Sequence, residues 1–354
     1  MTLRALLAAS LAIAVAGMAS GQSTLDRSIV SASGAPNDAQ KSAISAFASR
    51  HAEALESSSS DAEDFAAARL ALVAPSRDPA ATPAFRKAYA GILVAELGPV
   101  VRGSDLQRAI HAMQVLRFTR TAEGLDPIIE RTSPAAEPAA GKRIAAASLV
   151  ADAFEDLDAS NVYYESAARR LRDAVGDERD WIALQQKLGA IASAARRKEL
   201  AAENARNVRR ALAEALANVA RSAKSASPSD PRMQAIQRVL IGLRNDLLVV
   251  PQADRAAIAK TLMPALADAV AAGAAHWDAA HADPVLNASY ASTMNSCEVL
   301  MRLVDRELRP QAYAGTKPDS DSRVLAAAWE AGDRARFEAE FKRWTEVVGA
   351  APYR

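Results

Sequence analysis

From Asn37 onward, apolar residues recur at intervals of three and four in nearly every segment, and no stretch alternates apolar and polar residues over the length of a strand. Recurrence at that spacing puts one apolar stripe along a helix. Strict alternation would be needed for a half-buried strand, and no Asn-Gly or Asp-Gly pair marks a tight hairpin. The expected fold class is therefore all-α. Hydrophobic residues make up 50% of the chain, enough for a core, but aromatics are only 5% and alanine supplies much of the rest. Packing must then come from close helix approach, with Leu, Ile and Val contributing most of the transfer free energy.

Helix boundaries are punctuated in several places. Ser60-Asp61-Ala62-Glu63 has the form of a capping box, in which a hydroxyl and a carboxylate satisfy free backbone N–H groups reciprocally. Thr82-Pro83 places a cap before a proline at the first helical position, and that helix is expected to end near Leu97, ahead of Gly98-Pro99. Ser104 or Asp105 caps the next helix, in which Leu106, Ala109, Ile110, Met113 and Leu116 form one stripe. A shorter helix, Leu125 to Arg131, follows with Pro127 in its first turn. Further helices are expected over 142–157 and 160–175. Residues 178–224 read either as one long helix or as a hairpin turning near Ala202 to Asn204.

The stretch DLQRAIHAMQVLRFTRTAEGLDPIIERT, within residues 104–131 and just beyond, resembles a HEAT-type repeat: a long striped helix, a turn, then Asp126-Pro127 and a second helix. The resemblance implies helical hairpins stacked as an α-solenoid-like array, a scaffold class that lends no catalytic residues. SASPSDP, 225–231, is the best internal boundary. The expected organisation is a signal peptide over 1–21, a flexible tether over 22–36, a repeat-like region over 37–226 and a C-terminal helical region over 230–354. In that last region helices are expected over 232–249, 252–282 and 284–308. A loop at 315–322 then precedes a final pair, in which Phe337, Phe341 and Trp344 share one face and read as core with Trp329.

The signal-peptide reading rests on Arg4, the uncharged apolar run Ala5 to Val15, and small residues ending in Ala19-Ser20-Gly21 before Gln22. It predicts an exported protein, periplasmic or extracellular, starting near Gln22. The run is too short to span a bilayer, and no later run is expected to span one. Formal net charge is +1, with 43 basic and 42 acidic residues, so the whole molecule has no general attraction for nucleic acid or anionic membrane. The lone Cys297, among Met294 and Leu300, excludes an internal disulfide and reads as a small buried hydrophobe.

Two constellations could carry function. In HWDAAHAD, His276 and Asp283 share one helix face, and Asp278 and His281 share another. The histidines are five apart and do not converge as an H-E-x-x-H pair does, so a metal site would need ligands from elsewhere in the chain. The alternative is capping and solvation at a helix end before Pro284, where protonated His suits the dipole. The second constellation is basic. On a helix after residue 202, Arg206, Arg210, Arg221 and Lys224 line one face with Glu203 and Glu214, and Val208, Leu212, Leu216 and Val219 line another. That face is either solvated or anion-binding; without interleaved aromatics it does not suit single-stranded nucleic acid. The acidic cluster Asp152, Glu155, Asp156 and Asp158 lacks the spacing and turn glycine of a calcium loop.

The chain carries no G-x-S-x-G elbow, phosphate-binding glycine loop, dinucleotide fingerprint or paired-cysteine site. No cofactor is expected. The leading expectation is an exported, non-catalytic interaction or scaffold protein of the cell envelope whose partner is another protein. The alternative is an extracytoplasmic enzyme or small-ligand binder with a pocket between helices.

Overall fold

A computed structural model describes residues 24–57, 62–249, 252–314 and 323–353, and every regular element among them is helical. The signal segment, Ser60 and Asp61 of the expected capping box, and the 315–322 loop lie outside the described residues. The fold class is all-α, as the periodicity predicts. The chain forms two compact units, Met1–Gly124 and Leu125–Arg354.

The first unit holds α1 (Arg27–Val30), α2 (Asp38–Glu56), α3 (Ala62–Arg77), α4 (Pro83–Arg102) and α5 (Leu106–Arg117). The segment expected to be a flexible tether is docked from Asp26 onward. Asp26 caps α1, Val30 is buried, and the Thr82 hydroxyl donates to Ala32 O at 2.7 Å. Asn37 and Gln40 form a reciprocal capping box on α2, both bonds at 2.9 Å. Thr82 and Asp105 cap α4 and α5. Helix α4 does not stop at Leu97. It continues through Gly98 and Pro99 to Arg102, because Leu97, Gly98, Val100 and Val101 are buried and their packing outweighs the backbone bond lost at the proline. Leu106 of the expected stripe is instead exposed; Ala109, Met113 and Leu116 are buried.

Helix α6 (Ala122–Glu130) begins about a turn earlier than its proline suggests. The Thr121 hydroxyl accepts the Gly124 N–H at 3.2 Å and sets the start. Gly124 has no room for a side chain: a Cβ there would lie 2.1 Å from the Thr119 hydroxyl and 2.7 Å from Leu116 O.

In the second unit, helices pair and stack: α7 (Ala140–Ala153) with α8 (Asn161–Gly176), α9 (Trp181–Ala195) with α10 (Ala202–Lys224), and α11 (Arg232–Val249) with α12 (Gln252–Ala275). Helices α7, α9 and α11 form one layer, and α8, α10 and α12 the other, a solenoid-like array. Residues 178–224 are thus a hairpin, broken at 196–201. The break has no glycine or proline; the Arg197 guanidinium fixes it by donating to Phe154 O and Glu155 O after α7. An acidic residue precedes each helix of the first layer and accepts the N–H two residues on: Glu137 from Ala139, Glu178 from Asp180, Asp230 from Arg232.

Helices α10 and α12 run parallel. Arg206 meets Asp254 near their starts, and Ala223 O meets His276 at their ends. The two helices pack closely against each other; Val208, Leu212, Leu216 and Val219 on α10 and Ile258, Leu262, Leu266 and Val270 on α12 are all buried, interleaved with alanines. Each such aliphatic side chain contributes about 1.5–3 kcal/mol on burial. Among the described residues, one helix is long and apolar enough to cross a membrane by length and composition: Asp254–Ala275, within α12. Of its most apolar window, 56% is buried in the fold, where it packs against α10 and α14.

The remaining helices are α13 (Trp277–Ala282), α14 (Pro284–Leu308), α15 (Val324–Glu330) and α16 (Arg334–Val348). Trp277, Tyr290, Trp329 and Phe337 form an aromatic core, ring centroids 4.7–5.7 Å apart. Phe337 and Trp344 are fully buried, whereas Phe341 is only half-buried. Cys297 is buried, and burial pushes its thiol up to about 12. Asp305 receives Arg309, the Tyr313 hydroxyl at 2.6 Å and the Tyr353 hydroxyl at 2.7 Å, tying the last residues to α14.

Candidate functional site: a groove across three parallel helices

The polar sides of α8, α10 and α12 enclose a groove of about 550 Å³. Helical spacing places its lining: Arg172 and Asp173 on α8, Glu214, Ala217, Asn218 and Arg221 on α10, and Lys260, Thr261, Pro264 and Asp268 on α12. The apolar stripes of the same helices face the core, so the polar residues have no other direction to take.

The α8 edge is internally paired. Arg172 donates to Glu214 at 2.7 Å and to Asp173 at 2.8 and 3.0 Å. The α10–α12 side is not. Arg221 donates only to Asn218 Oδ1, at 2.6 Å, and Lys260 is exposed with no hydrogen bond or ion pair among the described residues. Burial raises the Asp268 carboxyl from its ordinary value, and the Arg221 and Lys224 charges offset part of that rise. No group donates a hydrogen bond to Asp268 among the described residues.

The four basic residues singled out from sequence are treated unequally. Arg221 lines the groove, and Lys224 is close enough to act on Asp268. Arg206 is held by Asp254 at 3.2 Å. Arg210 is exposed on the same helix with no partner among the described residues. Arg172, Asp173, Lys260 and Asp268 carried no sequence signal. They come from three helices, and only the register of parallel helices brings them together.

The His276–Asp283 segment is not one site. Its helix breaks at His276, so α12 ends at Ala275 and the two histidines are buried or half-buried instead of solvated. His276 Nε2 lies 3.0 Å from Ala223 O. His281 places Nδ1 2.9 Å from Trp277 O and Nε2 3.0 Å from Trp329 O, between the two indole rings. Asp278 pairs with Arg334 at 3.0 Å on the surface, and Asp283 caps α14. No group of three or more His, Cys, Asp or Glu side chains suited to a metal ion occurs among the described residues.

A second charged cluster is buried and fully bonded. Glu178 accepts from Arg143 through both carboxylate oxygens at 2.8 Å, from Lys187 at 2.6 Å, and from the Arg179 and Asp180 N–H groups at 2.9 Å. Burial pushes Glu178 up, but these bonds outweigh it and hold the carboxyl at about 2. Burial also lowers Lys187, whose remaining bond goes to Ala174 O at 2.9 Å. With no side-chain surface open to solvent on Glu178 or Lys187, this cluster joins α7, α8 and α9 and is closed to a ligand.

Fold and groove together define a solenoid-like helical protein with a charged, open surface across one layer. Comparison with family models, with curated proteins and with solved structures returns no match.

Proposed function

We propose that this is an exported, non-catalytic interaction protein that docks another protein along the α8–α10–α12 groove. The observation that carries the reading is the groove itself: three helices side by side present hydrogen-bonding and charged groups, several of them unpaired, along one open surface. Stacked helical pairs build extended surfaces of this kind without needing a closed pocket. Export rests on the basic start, short apolar run and small residues of the first twenty-one positions. The mature chain then begins near Gln22 and meets its partner in the cell envelope.

A photo-cross-linking side chain at Asn218 tests the docking. In envelope extract from the host, it is expected to trap one discrete protein. The same group at Val162, 65% exposed at the start of α8 and outside the groove lining, is expected to trap none. Equal yields at the two positions, or none at either, would remove the groove as the docking surface. N-terminal sequencing of protein from the extracytoplasmic fraction tests export; an intact Met1 on cytoplasmic protein contradicts it.

A further inference from the structure

We infer that the docked segment is an acidic peptide in extended conformation, lying along the α10–α12 side of the groove; this rests on the docking reading above. Arg210, Arg221, Lys224 and Lys260 are all exposed, and among the described residues none has a carboxylate within ion-pair distance. Within the groove lining, among the described residues, Asp268 is the carboxylate without a hydrogen-bond or ion-pair partner. The α8 edge carries the opposite balance, because Arg172 is shared between Asp173 and Glu214. An acidic chain is therefore attracted to the α10–α12 side and repelled from the α8 edge.

Asp268 faces the groove as an acceptor without a donor, and Asn218 keeps its amide N–H₂ group free after accepting from Arg221. A peptide backbone supplies both complements, an N–H for Asp268 and a C=O for Asn218. Arg210 to Lys224 spans fourteen helical steps, about 21 Å at 1.5 Å each. An extended peptide covers that distance in about six or seven residues at about 3.3 Å each. A nucleic acid fits less well: its charge recurs at every unit, which Asp268 and Glu214 oppose, and no aromatic side chain lines the groove for base stacking.

The test uses the full mature chain and a fluorescent octapeptide of alternating glutamate and glycine, read by anisotropy at low and physiological salt. Saturable binding that weakens with salt is expected. The double charge reversal R221E/K260E should weaken it at least about tenfold, because like charges then face each other. Both residues are exposed, so circular dichroism and the unfolding midpoint should not move. R172E, at the α8 edge, should not weaken binding. The proposal is overturned if the acidic peptide does not bind, if R221E/K260E binds it as tightly as the parent, or if a lysine–glycine peptide or a single-stranded oligonucleotide binds equally well. The Asn218 cross-link separates the two levels. A trapped protein with no peptide binding refutes the acidic peptide and leaves docking in place; loss of both refutes both.

Discussion

Glu178 and Arg143 are joined by two parallel hydrogen bonds of 2.8 Å across 35 residues of chain, with the carboxylate side chain wholly out of solvent. Lys187 completes the cluster from a third helix. Two buried cations therefore depend on one carboxylate. Glu178→Gln keeps the shape and removes the charge. It is expected to cost about 3–5 kcal/mol in urea unfolding, because it takes from two buried cations the charged carboxylate they are bonded to. A change below about 1 kcal/mol would show that water reaches the cluster.

The same pair fixes a pH dependence. Glu178 is held at about 2 in the folded chain, below the ordinary carboxylate value of 4.5. Its stabilisation is therefore present in full above pH 4.5 and is lost as pH falls from there towards 2. Asp305 acts in the same direction: burial raises it, but Arg309, Tyr313 and Tyr353 lower it further. Unfolding midpoints measured between pH 6 and pH 2.5 should drop in the parent and drop less in Glu178→Gln. Equal slopes would contradict the assignment.

Gly124 tests the start of α6. Alanine there places a Cβ 2.7 Å from Leu116 O, a backbone atom that cannot swing aside. Thermal unfolding should show a loss of about 1–3 kcal/mol, typical of overpacking. Trimming Thr119 should not restore it, since the carbonyl clash persists.

The C-terminal aromatics separate by burial. Trp344→Ala is expected to cost about 3–5 kcal/mol, and Phe341→Ala distinctly less, because Trp344 is fully buried and Phe341 only half so. Equal losses would contradict the orientation of α16.

How much of this was legible follows from the range of the interactions. Local signals read correctly: the helical period, the cap at Thr82, and Asp105 as one of two candidates for the next cap. Features set by contacts between distant segments did not. Pro99 reads as a stop, yet burial carries α4 past it. The α9–α10 turn reads either as continuous helix or as a hairpin, because what fixes it is Arg197 reaching the end of α7. The break at His276 has no glycine or proline at it, and its ring is held by a carbonyl of α10. In the groove, Arg221 and Lys224 stood out because they lie on one helix with a visible polar stripe. Lys260 and Asp268 gain meaning only from the parallel register of α10 and α12, which Arg206–Asp254 and Ala223–His276 define.

Under the docking proposal, the partner occupies the α10–α12 side of the groove. The most direct measurement is competition: the Asn218 photo-cross-link to the envelope partner, run with rising concentrations of the acidic octapeptide. The account predicts that the cross-linked product disappears as the peptide saturates its site, and that R221E/K260E forms little product even without peptide. A cross-link that persists at saturating peptide, with full yield in R221E/K260E, would contradict it.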